Sequence, residues 1–479
     1  MPGRTPPDLA TPSSPRAQAR PAAPRAQTNP AAPRVQARPV APQARLATPR
    51  ALARAAAPRA PRAPRRRRRR VVALVAGGAA LVLGAGAAFA AYTYLDLSNG
   101  IHRSSIGAGA QQHTGETNIL VMGLDSRLDE NGNALPANVY DALQAGNQSD
   151  GGYNTNVLML IHIPANGGKA VGISIPRDDY AALSGHPDGT SMAKIKEAYG
   201  LTLDQTLRQL VAKGGISHAD AYQQARTAAR QAEVATVSAF LGGVTINHFV
   251  EVTMAAFYQV AVAVQPITVC LNEATSDPYS GANFPAGVQQ ISASQAVSFV
   301  RQRRDNAHPG LNFTDLDRER RQQAFIISLA YKLKQAHTFT NLGTLQTLID
   351  TAKQNIALDS NFNLLSFAGQ ASKLAGGNIS FTTLPITGFG VRNGQDVNLV
   401  DLAQVRSLAA QLLSSAPAST SAGAPSGTAG GSSGGSSGGA ASTGHAATSA
   451  GSASSTPANP GLGSAASTPL ESSSIPCVK

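Results

Sequence analysis

The chain has 479 residues, with 40 Lys and Arg against 27 Asp and Glu, for a formal charge of +13. Residues 1–70 hold 17 arginines and one acid, Asp8, or +16, so everything after residue 70 carries 13 − 16 = −3. The basicity belongs to a tail, which argues against a nucleic-acid-binding folded domain with a basic face.

Residues 1–64 form a loose Pro-Arg-Ala-Gln repeat. It has too little apolar bulk to offset its ordering entropy and is expected to be a disordered tail. Arg65–Arg70 abuts Val71–Leu95, 25 residues without a charge. At ~1.5 Å per helical residue, that is long enough to be a single transmembrane helix. The arginines put residues 1–70 in the cytoplasm and everything after Leu95 outside the cell membrane. Ala88-Phe89-Ala90 has the form of a signal-peptidase site, but the long preceding tail favours an uncleaved anchor.

Residues 96–115 read as a polar spacer, 116–414 as a globular domain and 415–479 as a disordered tail rich in Ser, Gly and Ala. The tail ends in a small apolar island, Ile475–Val478, that contains one of the two cysteines. An exported chain sees conditions that allow a disulfide. Cys270 and Cys477 are therefore either bridged or two unpaired thiols.

Within the domain, β-rich apolar runs fall at Asn118–Gly123, Val157–Ile163, Ala170–Ile175, Thr245–Glu251, Ile267–Leu271 and Ile379–Leu384. Helical spacing falls at Leu203–Lys213, Ala219–Phe240, Met254–Val264, Ser292–Val300, Asp317–Ala336 and Val400–Leu413. Ser292 and Gln295 have the spacing of a capping box. The alternation predicts an α/β fold, a layered α-β-α domain with a mixed central sheet.

Three polar clusters sit at the ends of these elements, where loops build sites. In Gly123-Leu124-Asp125-Ser126-Arg127, Asp125 offers a carboxylate to a hard cation and Arg127 a guanidinium to an anion. In Ile175-Pro176-Arg177-Asp178, Pro176 stops the strand and Arg177 and Asp178 open a loop. A structural Arg–Asp pair explains either cluster taken alone. The third, Arg301 to Arg321, packs six arginines into 21 positions. Arg301 and Arg303 share one face of an extended segment, and Arg318, Arg321 and Gln322 share a helix face. Guanidinium is the side chain best matched to phosphate oxygens. The competing explanation is an ion-pair network with Asp305, Asp315, Asp317 and Glu319. No GxxxxGK[ST], HExxH or GxSxG occurs, and two cysteines are too few for a CxxC zinc site. An anion cradle beside a carboxylate suits phosphoryl transfer, which rests on positioning and charge stabilisation.

These residues resemble the LytR-CpsA-Psr family of cell-wall ligases. The resemblance is carried by Asn118–Arg127, Ile175–Asp178, Lys194–Tyr199, Gly242–Phe249, Phe299–Arg303 and Asp315–Gln323. The arginine tract and Gly/Ser-rich end resemble the actinobacterial type. It implies a membrane-anchored phosphotransferase that moves a glycopolymer from a polyprenyl-pyrophosphate carrier onto peptidoglycan through a phosphodiester, with Mg²⁺ or Mn²⁺ as cofactor. By matching position, Arg177, Arg301, Arg303, Arg318 and Gln322 would grip the pyrophosphate, Asp125 would contact the metal and Lys194 a further phosphate oxygen. Either Asp125 or Asp178 would accept the acceptor's proton. The chain departs from the family where Asn154 and Asn156 replace an expected Arg and a second metal-binding Asp. Asn156 then ligates through its amide, or Asp150 from the neighbouring loop takes its place. The rival readings are a pyrophosphate hydrolase with water as acceptor and a non-enzymatic envelope protein that binds anionic polymers.

Overall fold

The computed structural model describes residues 91–106, 115–335, 342–364, 366–367, 378–414 and 468–479. Residues 91–100 are helical (α1) and lead into β1 (His102–Ser104), β2 (Thr117–Leu124), α2 (Ala137–Leu143), β3 (Thr155–Ile163) and β4 (Ala170–Ser174). The hairpin β5 (Tyr180–Ala182) and β6 (Met192–Lys194) follows, then α3 (Glu197–Lys213), α4 (His218–Phe240), β7 (His248–Val252) and α5 (Met254–Val264). Next come β8 (Ile267–Leu271), β9 (Thr275–Asp277), β10 (Ala282–Phe284), β11 (Gly287–Ile291), α6 (Ala293–Arg301), α7 (Asp315–Gln335) and α8 (Leu342–Asn355). The rest are β12 (Ile356–Asp359), β13 (Ile379–Thr383), β14 (Gly388–Arg392), β15 (Gln395–Leu399), α9 (Leu402–Leu413), β16 (Leu470–Glu471) and β17 (Cys477–Val478).

Eight strands form the central sheet, in the order β1-β12-β7-β2-β3-β4-β13-β16. The sheet is mixed: β2 pairs antiparallel with β3 and parallel with β7, and β4 pairs parallel with β13. Side-chain alternation along β3 supplies both faces. Leu158 and Leu160 join the core under α4 and α9, with Val237, Phe240 and Val405. Met159 and Ile161 join the opposite core under α5, α6 and α7, with Val264, Phe299 and Phe325. Helices therefore cover both faces, the layered α-β-α arrangement expected from the sequence.

Each strand and helix expected within residues 116–414 is present, with shifted ends. The helix expected at Leu203 begins one and a half turns earlier, at Glu197. The capping box forms: the Ser292 hydroxyl accepts from the Gln295 amide, and the Gln295 side chain accepts from the Ser292 amide. The small hairpins β5–β6, β9–β10 and β14–β15 gave no sequence signal, because three to five residues hold too little periodicity to stand out.

Two boundaries are corrected. The stretch 96–115 is not a plain spacer, since β1 pairs with β12 at the sheet's edge. The tail expected to be disordered from 415 to 479 is ordered over its described residues, 468–479. β16 adds to the sheet edge at β13, β17 pairs parallel with β8, and Cys477 is disulfide-bonded to Cys270. The basic tail and most of the expected span at 71–95 lie outside the described residues. Among the described residues no helix is long and apolar enough to cross a membrane.

One ionic cluster lies wholly in the core. Arg226 and Arg230, one turn apart on α4, each contact both Glu130 and Glu251. Burial would raise Glu251, but Arg230 and Arg226 outweigh it and hold the carboxyl low. Such a set adds little net stability, yet removing one member leaves a buried unpaired charge. Its structural effect is to pin Glu130, and with it the start of the long 128–152 loop, beneath the end of β2.

Candidate functional site

The sequence-selected clusters converge at one end of the sheet. β2 ends there and runs into Asp125 and Arg127. β4 ends there and runs into Arg177 and Asp178. α6 delivers Arg301 in its last turn, and α7 begins with Asp315 and Arg318.

Asp315 is the organising group. Its carboxylate accepts from Arg177 Nε and Nη2 at 3.1 and 3.0 Å, and from Arg318 Nε and Nη2 at 3.0 and 3.1 Å. Burial would raise its pKa, but the charges of Arg318 and Arg177 overwhelm that and hold it far below the usual carboxylate range. Arg318 also donates to the main-chain oxygen of Asn156 at 3.2 Å. The two guanidiniums are thus fixed as a pair at the mouth of the sheet.

Arg303 is different. It is exposed, and among the described residues it has no hydrogen-bond or ion-pair partner. Desolvation of the part of the side chain that lies against the cluster, and then the charges of Arg177 and Arg318, make its protonated form less favourable. Arg301 feels the same push, from burial and then from Arg127; its guanidinium donates to the carbonyls of Leu143 at 2.6 Å and Gln144 at 3.2 Å. Arg127 is clamped on Asp125 and donates Nε to the Ala145 carbonyl at 3.0 Å. On the far side, Asp178 gathers Lys196 at 2.7 Å and Lys194 and Arg177 at 3.5 Å each. Its burial would raise it, but Arg177 and Lys196 hold it below the usual range.

Two further acids lie beneath this surface. Burial and then the charge of Asp315 push Glu319 up to about 8, so it is neutral at pH 7. Burial likewise raises Asp179, which accepts from the Asn398 amide at 3.0 Å. Among the described residues, Arg127, Arg177, Arg301, Arg303, Arg318, Lys194 and Lys196 therefore stand against the carboxylates of Asp125, Asp178 and Asp315, with Asp277 at the edge beside Arg301 and Arg304. The excess of cations suits a multiply charged anion.

The spacing of Arg321 puts it in the cradle, and the structure does not. Its Nε donates to the main-chain oxygen of Lys479 at 2.7 Å, and its Nη1 and Nη2 reach the Gln302 side chain at 2.7 Å and the Thr275 hydroxyl at 2.9 Å. The rings of Phe313 and Phe299 flank it at 4.8 and 5.0 Å. The C-terminal residue, β9 and the residue after α6 supply these acceptors, so the buried guanidinium holds the fold together. Gln322 is buried and spends its amide on the Val300 carbonyl at 3.3 Å, tying α7 to α6. Arg304 lies over the Tyr279 ring at 3.9 Å, and Arg320 meets the Thr468 carbonyl.

For a metal the donors are sparse. Among the described residues no group of three His, Cys, Asp or Glu could hold an ion. Asp150 accepts from its own turn, at Asn147 N, 2.8 Å. Asp125 and the Asn156 amide remain. One carboxylate fits a Mg²⁺ that brings its own waters and the substrate's phosphate oxygens, and does not fit an all-protein cage.

The sequence pattern marks Asp315 and Glu319 only as neutralising acids and does not single out Lys196 or Asp179. Lys196 was legible: it alternates with Lys194 in an extended segment and so reaches the same side. The burial of Glu319 and Asp179 had no such sign.

A family model described as LytR_cpsA_psr matches residues 96–413. A cell wall biosynthesis protein, LcpA of Corynebacterium glutamicum, is 36% identical over 304 residues, 63% of this chain and 56% of that protein. TagU of Oceanobacillus iheyensis, a polyisoprenyl-teichoic acid–peptidoglycan teichoic acid transferase, is 25% identical over 236 residues, 49% of this chain and 62% of its own. The chain therefore spans less than two thirds of either relative's length. Protein gbs0355 of Streptococcus agalactiae, a solved structure, aligns over 64% of this chain and 90% of its own at 18% identity and a TM-score of 0.45, a likeness too slight to bear on function.

Proposed function

The chain belongs to the LytR_cpsA_psr family, and on that footing we propose that it is a phosphotransferase that moves a glycopolymer from a polyprenyl-pyrophosphate carrier onto peptidoglycan. The observation that carries this reading is Arg303, an exposed and unpartnered guanidinium beside the fixed Arg177–Asp315–Arg318 set. A pyrophosphate would complete that set.

In this mechanism Arg177, Arg303 and Arg318 neutralise the pyrophosphate, with Arg301, Lys194 and Lys196 at its edges. A sugar hydroxyl of peptidoglycan attacks the phosphorus that bears the polymer. The bond from that phosphorus to the bridging oxygen breaks, polyprenyl phosphate departs, and a phosphodiester joins polymer to acceptor. Transition states of this class are loose, so fixed positive charge matters more than a strong base. That suits a site where Asp178, ringed by three cations, is a weak proton acceptor. A neutral Glu319 leaves the cradle's charge undiminished for substrate. Asp125, with Asn156 beside it, would hold Mg²⁺ or Mn²⁺, which would supply positive charge to offset that of the phosphate oxygens. The uncharged stretch Val71–Leu95 anchors the chain in the cell membrane, with the site outside.

The test supplies the full-length protein in bilayers with a polyprenyl-pyrophosphate oligosaccharide and peptidoglycan fragments. Glycan-linked product that disappears in Arg303→Ala supports transfer. Release of free phosphorylated oligosaccharide alone would mean hydrolysis, and no turnover with retained binding would mean a polymer-binding protein.

A further inference from the structure

The sheet's polarity fixes where the chain enters the domain. β2, β4 and β13 end at the arginine cluster, and β3 begins there. β1 runs parallel to β12, β12 antiparallel to β7, and β7 parallel to β2. β1 therefore starts at the cluster's end of the sheet. Helix α1 feeds β1 directly and is tied down there by an ion pair between Asp96 and Lys353 of α8 at 2.8 Å. The uncharged stretch that ends at Leu95 thus reaches the domain from the same end as the site.

The β14–β15 hairpin leaves the sheet at that end too, four residues after β13 stops. Its base is fastened to the site loop: the Asn398 amide donates to the Asp178 carbonyl at 2.8 Å, and its side chain donates to Asp179. Its outer strand carries Phe389, 57% exposed, and Val391, 60% exposed. Being two residues apart, they share one face of the strand. On α1, Tyr92 and Leu95 are also exposed, at 68% and 55%. Apolar side chains are therefore left in the open at two places on the cluster's end of the sheet. Arg392 follows Val391 and is exposed, a cation suited to anionic headgroups. Asp396, across the hairpin from Val391, keeps the tip from sinking deep.

We propose that the β14–β15 hairpin is a second membrane contact, with Phe389 and Val391 seated at the headgroup–acyl boundary of the bilayer in which the chain is anchored. The contact rests on the anchored reading given above. It would hold the arginine cluster close to the bilayer surface at which a membrane-borne pyrophosphate carrier is presented. An aromatic and a branched aliphatic side chain beside an arginine is the chemistry of interfacial binding, strengthened by anionic lipid.

The chain contains no tryptophan, so one substitution makes a fluorescent reporter. Full-length Phe389→Trp is reconstituted into liposomes containing phosphatidylglycerol, with bromine placed either high or low on the acyl chains. Ala165→Trp, in the exposed turn between β3 and β4 at the opposite end of the sheet, is the reference. The expected result for Phe389→Trp is loss of indole fluorescence with high-placed bromine and less loss with low-placed bromine. Ala165→Trp should lose none with either. If the chain floats with the liposomes while the two variants quench alike, the hairpin contact is overturned and the anchor stands. If the chain does not float at all, both readings fail.

Discussion

Replacing Asp315 with Asn separates a structural ion pair from a substrate cradle. The change keeps the shape of the side chain and removes the charge that four hydrogen bonds from Arg177 and Arg318 converge on. Both arginine side chains are almost fully buried, at 7% and 6% exposure. Breaking a buried pair by removing one partner costs about 3–5 kcal/mol, because the other charge is left uncompensated. For a folded domain of about 300 residues, with roughly 2.1 cal/mol/K of unfolding entropy per residue, that is a fall in Tm of roughly 5–8 °C. The assay is thermal unfolding with and without added inorganic pyrophosphate. Without the anion the variant should melt lower by that amount. With it, the variant should recover more than the unmodified protein gains, since pyrophosphate supplies the missing negative charge. A variant that melts normally, or one that pyrophosphate stabilises no more than the unmodified protein, would refute the assignment of Arg177 and Arg318 to the anion.

Glu319 gives the pH dependence. Its pKa is raised from 4.5 to about 8 in the fold, so its contribution is present below pH 4.5 and is lost as pH rises towards 8, on the order of a few kcal/mol. Glu319→Gln should lessen that decline in Tm between pH 4.5 and 8, leaving the slope due to Glu233, Glu130 and Asp179, which burial also raises; an unchanged pH profile would mean that Glu319 is not held neutral by the fold. The Cys270–Cys477 bridge closes 207 residues of separation and should contribute about 2–5 kcal/mol. Reductant or Cys477→Ser should lower Tm accordingly, and thiol labelling of the unreduced protein should find no free cysteine. Asn156→Asp should sharpen the Mg²⁺ dependence of turnover if this position touches the metal. An identical metal titration would remove Asn156 from the metal set.

The sequence was most legible where the chemistry is local. The apolar run Val157–Ile163 marked a strand, and the Ser292–Gln295 spacing marked a helix start, because each depends only on near neighbours. The clusters at 125–127, 177–178 and 301–318 were legible as charge at the ends of elements, and the sheet's polarity brings all of them to one place. The order of strands, however, was not written in any segment: it comes from pairings between residues more than a hundred positions apart, such as Asn118 with Asn247.

Tertiary structure alone decided which charges are free. Arg321 and Arg318 lie three residues apart on one helix, and the sequence could not separate them. Packing did so by presenting the Lys479 oxygen, Gln302 and Thr275 to one guanidinium and Asp315 to the other. The same holds for Glu319, an ordinary surface residue by type, whose charge is suppressed because its neighbours exclude water and Asp315 sits beside it. Residue type and spacing determine what a side chain can do. Burial and the partners supplied by distant segments determine whether it remains available to do it.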